Sequence, residues 1–157
     1  PSATEGGPLA TVALENTGTG RCLRANSGES PDNPPEPAVC AAGDTQEWRV
    51  VAIAKSAYAL EHVASGFCLD IAGDRVQGDP MQLRPCAYRQ GADAPFPEDQ
   101  AFLLRARADG TFTVVCQENP EIAVGVRAGE VRMLATAGSG KEIRFALDDG
   151  LAKALGG

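Results

Sequence analysis

Apolar and polar side chains alternate with a period of two over short stretches of this chain. Val12/Leu14, Tyr58/Leu60 and Phe112/Val114 are examples, and the pattern is that of strands with one buried face. Turn signals punctuate it: Thr17-Gly18, Ser65-Gly66, Gly73-Asp74, Gly78-Asp79-Pro80, Asp109-Gly110 and Gly138-Ser139-Gly140. No long stripe has helical spacing. The one helix candidate is 151–155, a length that is marginal on its own. The pattern predicts an all-β chain.

The strands fall into a repeat. Residues 13–23 read Ala-Leu-Glu-Asn-Thr-Gly-Thr-Gly-Arg-Cys-Leu, and residues 59–69 read Ala-Leu-Glu-His-Val-Ala-Ser-Gly-Phe-Cys-Leu. Cys22 and Cys40 recur in the same register as Cys68 and Cys86. Gln46-Glu47-Trp48 recurs as Gln100-Ala101-Phe102, after a longer connection over 87–98. A third unit is fainter. Ala123-Val124-Gly125-Val126 stands for Cys68-Leu69-Asp70-Ile71, Ile143-Arg144-Phe145 stands for Gln-x-aromatic, and Ala123 and Thr136 replace the cysteines. The units run over about 11–56, 57–109 and 110–147, between an N-terminal arm 1–10 and a C-terminal tail 148–157. Three multi-stranded units imply pseudo-threefold symmetry. A propeller would need more blades, whereas a closed β-trefoil fits. Trp48, Phe102 and Phe145 would meet as an aromatic core, with Leu23, Leu69 and Val124 as a second layer.

Composition narrows the function. The 157 residues suit one domain. A formal charge of −7, from 14 basic and 21 acidic residues, disfavours nucleic acid and anionic lipid as partners. No apolar run is long enough for membrane insertion as a helix. Only Lys55, Lys141 and Lys153 among the basic residues are lysine, which with the Ala and Gly content points to a GC-rich, bacterial coding bias. The chain opens at Pro1, which reads as a mature or excised product.

Catalytic and metal chemistry find little support. His62 is the single histidine. It aligns with Asn16 and Cys116 at a strand end, where a structural role is expected. Gly138-Ser139-Gly140-Lys141 lacks the first glycine of a phosphate loop, and Glu142 stands where the hydroxyl residue belongs. Asp70, Asp74 and Asp79 do not have calcium-loop spacing. With so many acids, a close carboxylate pair would carry no weight as a glycosidase signal. The sequence therefore predicts a chain that is not an enzyme and has no cofactor or metal.

Gly-x-Cys-Leu-Asp-Ile, Met-Gln-Leu-x-Pro-Cys and Gln-x-aromatic together resemble the ricin B-type β-trefoil lectin family over roughly residues 10–147. The resemblance implies a trefoil without catalysis and up to three sugar sites. It pairs Cys22 with Cys40 and Cys68 with Cys86. A four-cysteine zinc site is the alternative, but the close Cys-x-x-Cys pairs of such sites are missing. Disulfides in turn predict secretion. Cys116 is left over, as a buried thiol or, alternatively, an intermolecular bridge.

In the family a carboxylate follows Cys-Leu, a Gln lies four residues before the second Cys, an aromatic lies two before it, and an Asn-Gln pair opens Gln-x-Trp. Carried over, the second unit has Asp70, Gln82, Asp99 and Gln100, with Arg84 at the aromatic position. Tyr88 and Phe96, in the inserted connection, are the residues available to replace that platform. The first unit has Arg24, Glu36, Ala38 and Thr45-Gln46. The third has Gly125, Arg132 and Leu134. Both look dead. Gln46 and Gln100 have a bland alternative, serving loops rather than ligand. Arg84 is expected to pair with Asp70 and Asp99 and fill the second pocket. By subtraction, the sequence favours a secreted protein-binding adaptor, and the resemblance implies the targeting or assembly subunit of a secreted complex such as a toxin. Its partner would be another secreted protein, met by the arm, by the loop 30–37 with Pro34 and Pro35, and by Tyr88 and Phe96. The alternative is a lectin with one working glycan site in the second unit.

Overall fold

The structure is a computed structural model and describes residues 8–26, 34–54, 56–91 and 96–156. Thirteen strands are assigned among them: β1 (Pro8–Ala13), β2 (Glu15–Asn16), β3 (Arg21–Arg24), β4 (Glu36–Ala38), β5 (Glu47–Ala54), β6 (Ala57–His62), β7 (Phe67–Ile71), β8 (Met81–Pro85), β9 (Phe102–Ala106), β10 (Thr111–Cys116), β11 (Ile122–Arg127), β12 (Glu130–Ala135) and β13 (Phe145–Ala146). Antiparallel pairing runs β1–β5–β6–β9–β10–β13 and returns to β2. Because β1 and β2 are consecutive in the chain, this path closes a six-membered barrel. Three hairpins, β3–β4, β7–β8 and β11–β12, supply the rest of a β-trefoil.

The pseudo-threefold register is exact at the barrel's aromatic layer. Trp48 lies opposite His62, Phe102 opposite Cys116, and Phe145 opposite Asn16. All six are fully buried. Leu23, Leu69 and Val124 are buried in the same cluster. Burial of side chains of this size stabilises by roughly 1.5–3 kcal/mol each. The indole of Trp48 donates to the Leu23 carbonyl at 3.1 Å, so its polar atom is not stranded.

The polar residues of that layer act as struts. Asn16 donates to the Glu142 carbonyl, and the His62 Nε2 meets the Thr45 carbonyl, both at 2.8 Å. Each bond ties the start of one unit to the end of another. Burial pushes the His62 pKa down, against the pull of the Thr45 bond and Asp44. Since a carbonyl can only accept, Nε2 carries the proton, and Nδ1 meets the Ser65 hydroxyl at 2.8 Å. The ring is a structural histidine.

Two disulfides form, Cys22–Cys40 and Cys68–Cys86; loops of this length gain about 3 kcal/mol from closure. Cys116 is a buried thiol. Gly20 and Gly66 hold equivalent turns in a left-handed conformation, φ 70° and 78°, each returning its N–H to the carbonyl of Asn16 or His62 at 2.8 Å.

Three boundaries differ from the sequence reading. β1 begins at Pro8, so the end of the expected 1–10 arm is barrel strand; residues 1–7 lie outside the described residues. Glu36 and Pro37, expected in a loop, pair with Arg24 and Leu23 as strand β4. Residues 27–33 of that loop lie outside the described residues. Within the expected tail, helix α2 (Asp149–Ala154) is N-capped by the Asp148 carboxylate, packs against β1 and buries Leu151 completely. Propensity could not favour so short a helix; the cap and the burial do.

Candidate functional site

Strand register places the three family positions in each hairpin. Arg24 faces Glu36, Asp70 faces Gln82, and Gly125 faces Arg132. One step along, Cys22 faces Ala38, Cys68 faces Arg84, and Ala123 faces Leu134.

The first position is occupied by its own side chains, since Arg24 and Glu36 form a salt bridge of 2.9 Å. The third is filled by hydrocarbon. Ala123 and Leu134, where the sulfur and Arg84 stand in the second unit, pack with Val115 and with Ile143, which takes the Gln place. Gly125 makes room: a Cβ there would lie 2.6 Å from Leu134 and 2.8 Å from the Glu142 carbonyl. Arg132 turns away to Glu130 and to the Gly78 carbonyl.

The second unit keeps an open cavity of about 450 Å³, within the size range of small-ligand pockets. Asp70, Gln82, Arg84 and Pro85 come from β7 and β8. Phe96, Asp99 and Gln100 come from the turn before β9, and Gln90 from the short helix α1 (Ala87–Gln90). Asp70 is buried. Its Oδ1 accepts from Gln82 at 2.9 Å and its Oδ2 from Gln100 at 3.0 Å. A carboxylate can accept about four hydrogen bonds, so both oxygens keep acceptor capacity toward the cavity. Burial pushes the Asp70 pKa up, against the two amide bonds and the Arg84 charge.

Gln100 explains itself by its bonds. Its Oε1 accepts from the Ala87 N–H at 2.8 Å, and its Nε2 donates to the Pro85 carbonyl at 3.1 Å as well as to Asp70. Gln46 makes the equivalent pair, accepting from Ala41 and donating to Val39, both at 2.8 Å. This glutamine is a scaffold residue in both units, and in the second it also orients Asp70. Ile143 cannot do this, and it packs instead with Ala123 and Leu134 of the third hairpin.

The expected Arg84–Asp99 pair is corrected. The guanidinium on Asp99 is that of Arg75, from the β7–β8 turn, and Arg75 also lies 3.7 Å from Glu98. Burial pushes the Asp99 pKa up, opposed by Arg75 and reinforced by Asp70. Arg84 is exposed on the cavity wall and does not fill the cavity.

Tyr88 is also misplaced by the sequence reading. It lies against the disulfide cluster with Ile53, and its hydroxyl donates to the buried Glu61 at 2.6 Å. Arg89 pairs with the other Glu61 oxygen at 2.8 Å. Burial and Glu61 push the Tyr88 pKa up to about 12. Tyr88 lines a separate, smaller cavity behind Gln100. Of the residues expected to meet a partner, Pro34 is exposed, Pro35 is buried and so presents no surface, and Phe96 faces the Asp70 cavity. Residues 92–95 of the inserted connection lie outside the described residues. Sequence reasoning missed Arg75 and Gln90. Among the described residues no group of His, Cys, Asp and Glu is placed to hold a metal ion, and no helix is long and apolar enough to cross a membrane.

Comparison with known proteins agrees with this geometry. A family model described as ricin-type beta-trefoil lectin domain-like matches residues 3–84. No curated protein sequence matches. Among solved structures, the designed 3-fold symmetric protein ThreeFoil superposes with a TM-score of 0.73 at 18% identity, covering 88% of this chain and 98% of that one. The Rhizoctonia solani agglutinin superposes with a TM-score of 0.74 at 15% identity, covering 94% of this chain and all of that one. The exo-beta-1,3-galactanase 1,3Gal43A from Clostridium thermocellum matches with a TM-score of 0.73 at 14% identity, over 87% of this chain but 30% of that one. At these identities the likeness establishes the trefoil fold.

Proposed function

The chain belongs to the ricin-type beta-trefoil lectin domain-like family, and on that premise we propose that it is a non-catalytic carbohydrate-binding module with one working pocket, in the second unit. The observation that carries this reading is the open cavity around Asp70, in a position where the first unit has an ion pair and the third a hydrocarbon plug. Asp70 accepts from a pair of sugar hydroxyls, Gln82 supplies an amide beside it, and Gln100 holds the carboxylate in place. The two disulfides are compatible with an extracellular location, which we take as the working compartment. This reading replaces the adaptor role as the primary one: that role rested on the missing strand aromatic and on a pocket filled by Arg84, whereas the Asp70 cavity is open and Phe96 lines it.

The test is calorimetric titration with the methyl glycoside of the strongest hit from a glycan array. Hydrogen bonds to a charged acceptor are worth roughly 1.5–3 kcal/mol, so Asp70→Ala should weaken binding by at least about tenfold. Arg24→Ala should leave it unchanged. Undiminished binding by the Asp70 variant would place the site elsewhere. A stable protein partner recovered from culture supernatant, with no hit on the array, would return the adaptor role.

A further inference from the structure

Resting on that sugar-site reading, we propose that Phe96 is the stacking face of the pocket, that Arg75 positions it, and that the ligand is a neutral pyranose. The strand position that carries an aromatic in the family carries Ala38, Arg84 and Leu134 here, so none of the three hairpins supplies a flat neutral face. Among the described residues Phe96 is the one aromatic with most of its surface exposed, at 67%, and its ring lines the same cavity as Asp70, Gln82 and Gln100.

Its backbone supports a built feature rather than a loose loop tip. Phe96 sits in the left-handed region, φ 48° and ψ 55°, which side chains with a Cβ disfavour, and Pro97 follows it, narrowing its choices further. A chain that tolerates this without burying the ring holds the ring out for another purpose. The hold is identifiable. The Asp99 N–H returns to the Phe96 carbonyl at 3.0 Å, and the Asp99 carboxylate is gripped by Arg75. Arg75 is itself fixed by its carbonyl, which accepts from Asn119 of the third unit at 3.0 Å. The β7–β8 turn thus clamps the turn that carries Phe96 at one end and Gln100 at the other.

An aromatic face opposite hydrogen-bonding groups suits a ring with one apolar C–H face and hydroxyls at its edge. Charge selects among such rings. Among the described residues the cavity lining carries the carboxylates of Asp70 and Asp99 against the one guanidinium of Arg84, and the whole chain carries −7. Uronates and other acidic sugars meet a net negative surface, and neutral pyranoses do not.

The experiment uses the full chain on an array of neutral and acidic glycans, followed by titration with the methyl glycoside of the strongest hit. Neutral glycans should lead. Phe96→Ala should lose at least about tenfold in affinity, and Phe96→Trp should retain binding. The introduced indole should also change its emission on adding glycoside, against a Trp48 that is fully buried. Arg75→Gln should weaken binding and shift the unliganded emission of the Phe96→Trp chain, with Arg75→Lys recovering part of both. Unchanged affinity in Phe96→Ala, while Asp70→Ala abolishes binding, would overturn the stacking face and leave the sugar site standing. Preferred binding of acidic glycans would overturn the ligand class. Unchanged affinity in both variants, or no glycan bound by the unaltered chain, would remove the site and this proposal together.

Discussion

Asp70 and Glu61 are both buried carboxylates, and their partners decide what each can do. Glu61 is consumed by the Tyr88 hydroxyl and the Arg89 guanidinium, with Arg49 at 4.0 Å. Asp70 is held chiefly by two amides, which are neutral donors and compensate less of the cost of burying a charge. Its pKa is accordingly raised. A sugar hydroxyl donating to Asp70 favours the ionised form, so binding should weaken as pH falls. Because the unliganded pKa lies above the ordinary aspartate value, that loss should begin at a higher pH than an exposed aspartate would give. Titration calorimetry from about pH 7 down to about pH 4 checks this, with thermal melts run alongside to show that the fold persists. Affinity that rises on acidification would contradict the assignment of Asp70 as acceptor.

At the scale of the hairpins, the same frame is finished in three ways: an ion pair, an amide-held carboxylate, and a plug of aliphatic carbon. The plug has no spare room, and Gly125 is the residue that shows it. Gly125→Ala puts a methyl group within 3 Å of Leu134, the Glu142 carbonyl and Ile143. The expected cost is that of overpacking, about 1–3 kcal/mol, read as a lowered denaturation midpoint with sugar affinity at the second unit unchanged. An unchanged midpoint would mean that the single 3-10 turn Gly140–Ile143 yields easily. Much of this level was legible in the sequence. Period-two alternation and the repeated cysteines fix which residues face one another across each hairpin, so Asp70, Gln82 and Arg84 fall where the spacing puts them. The insertion was not legible, because no second copy exists to give its register. The direction of Tyr88 is set by Glu61, far away in sequence, and Arg75 reaches Asp99 across a turn whose local pattern shows only Asp and Gly punctuation.

For the whole molecule, the question is how many ligands a threefold frame can bind. The barrel layer keeps its symmetry, with Trp48, Phe102 and Phe145 opposite His62, Cys116 and Asn16 at equivalent positions. Symmetry of the frame is therefore retained for stability, while the rims have diverged independently. Filling a rim with its own side chains has a thermodynamic logic. An ion pair at the first rim satisfies groups that would otherwise wait for a ligand, and a hydrocarbon plug at the third adds core. At the first rim the Arg24–Glu36 contact is solvent-exposed and of small worth, so what disfavours sugar there is that Arg24 stands in place of the acceptor. At the third a ligand would have to remove packed side chains, a cost that the second rim does not carry. The molecule should consequently bind one sugar per chain. Titration of the full chain with a methyl glycoside should give a stoichiometry of one, and Asp70→Ala should remove the whole signal rather than a third of it. A stoichiometry near three, or a residual isotherm in the Asp70 variant that Arg24→Ala then abolishes, would show that the ion pair of the first rim opens to ligand and that the frame's symmetry extends to its function.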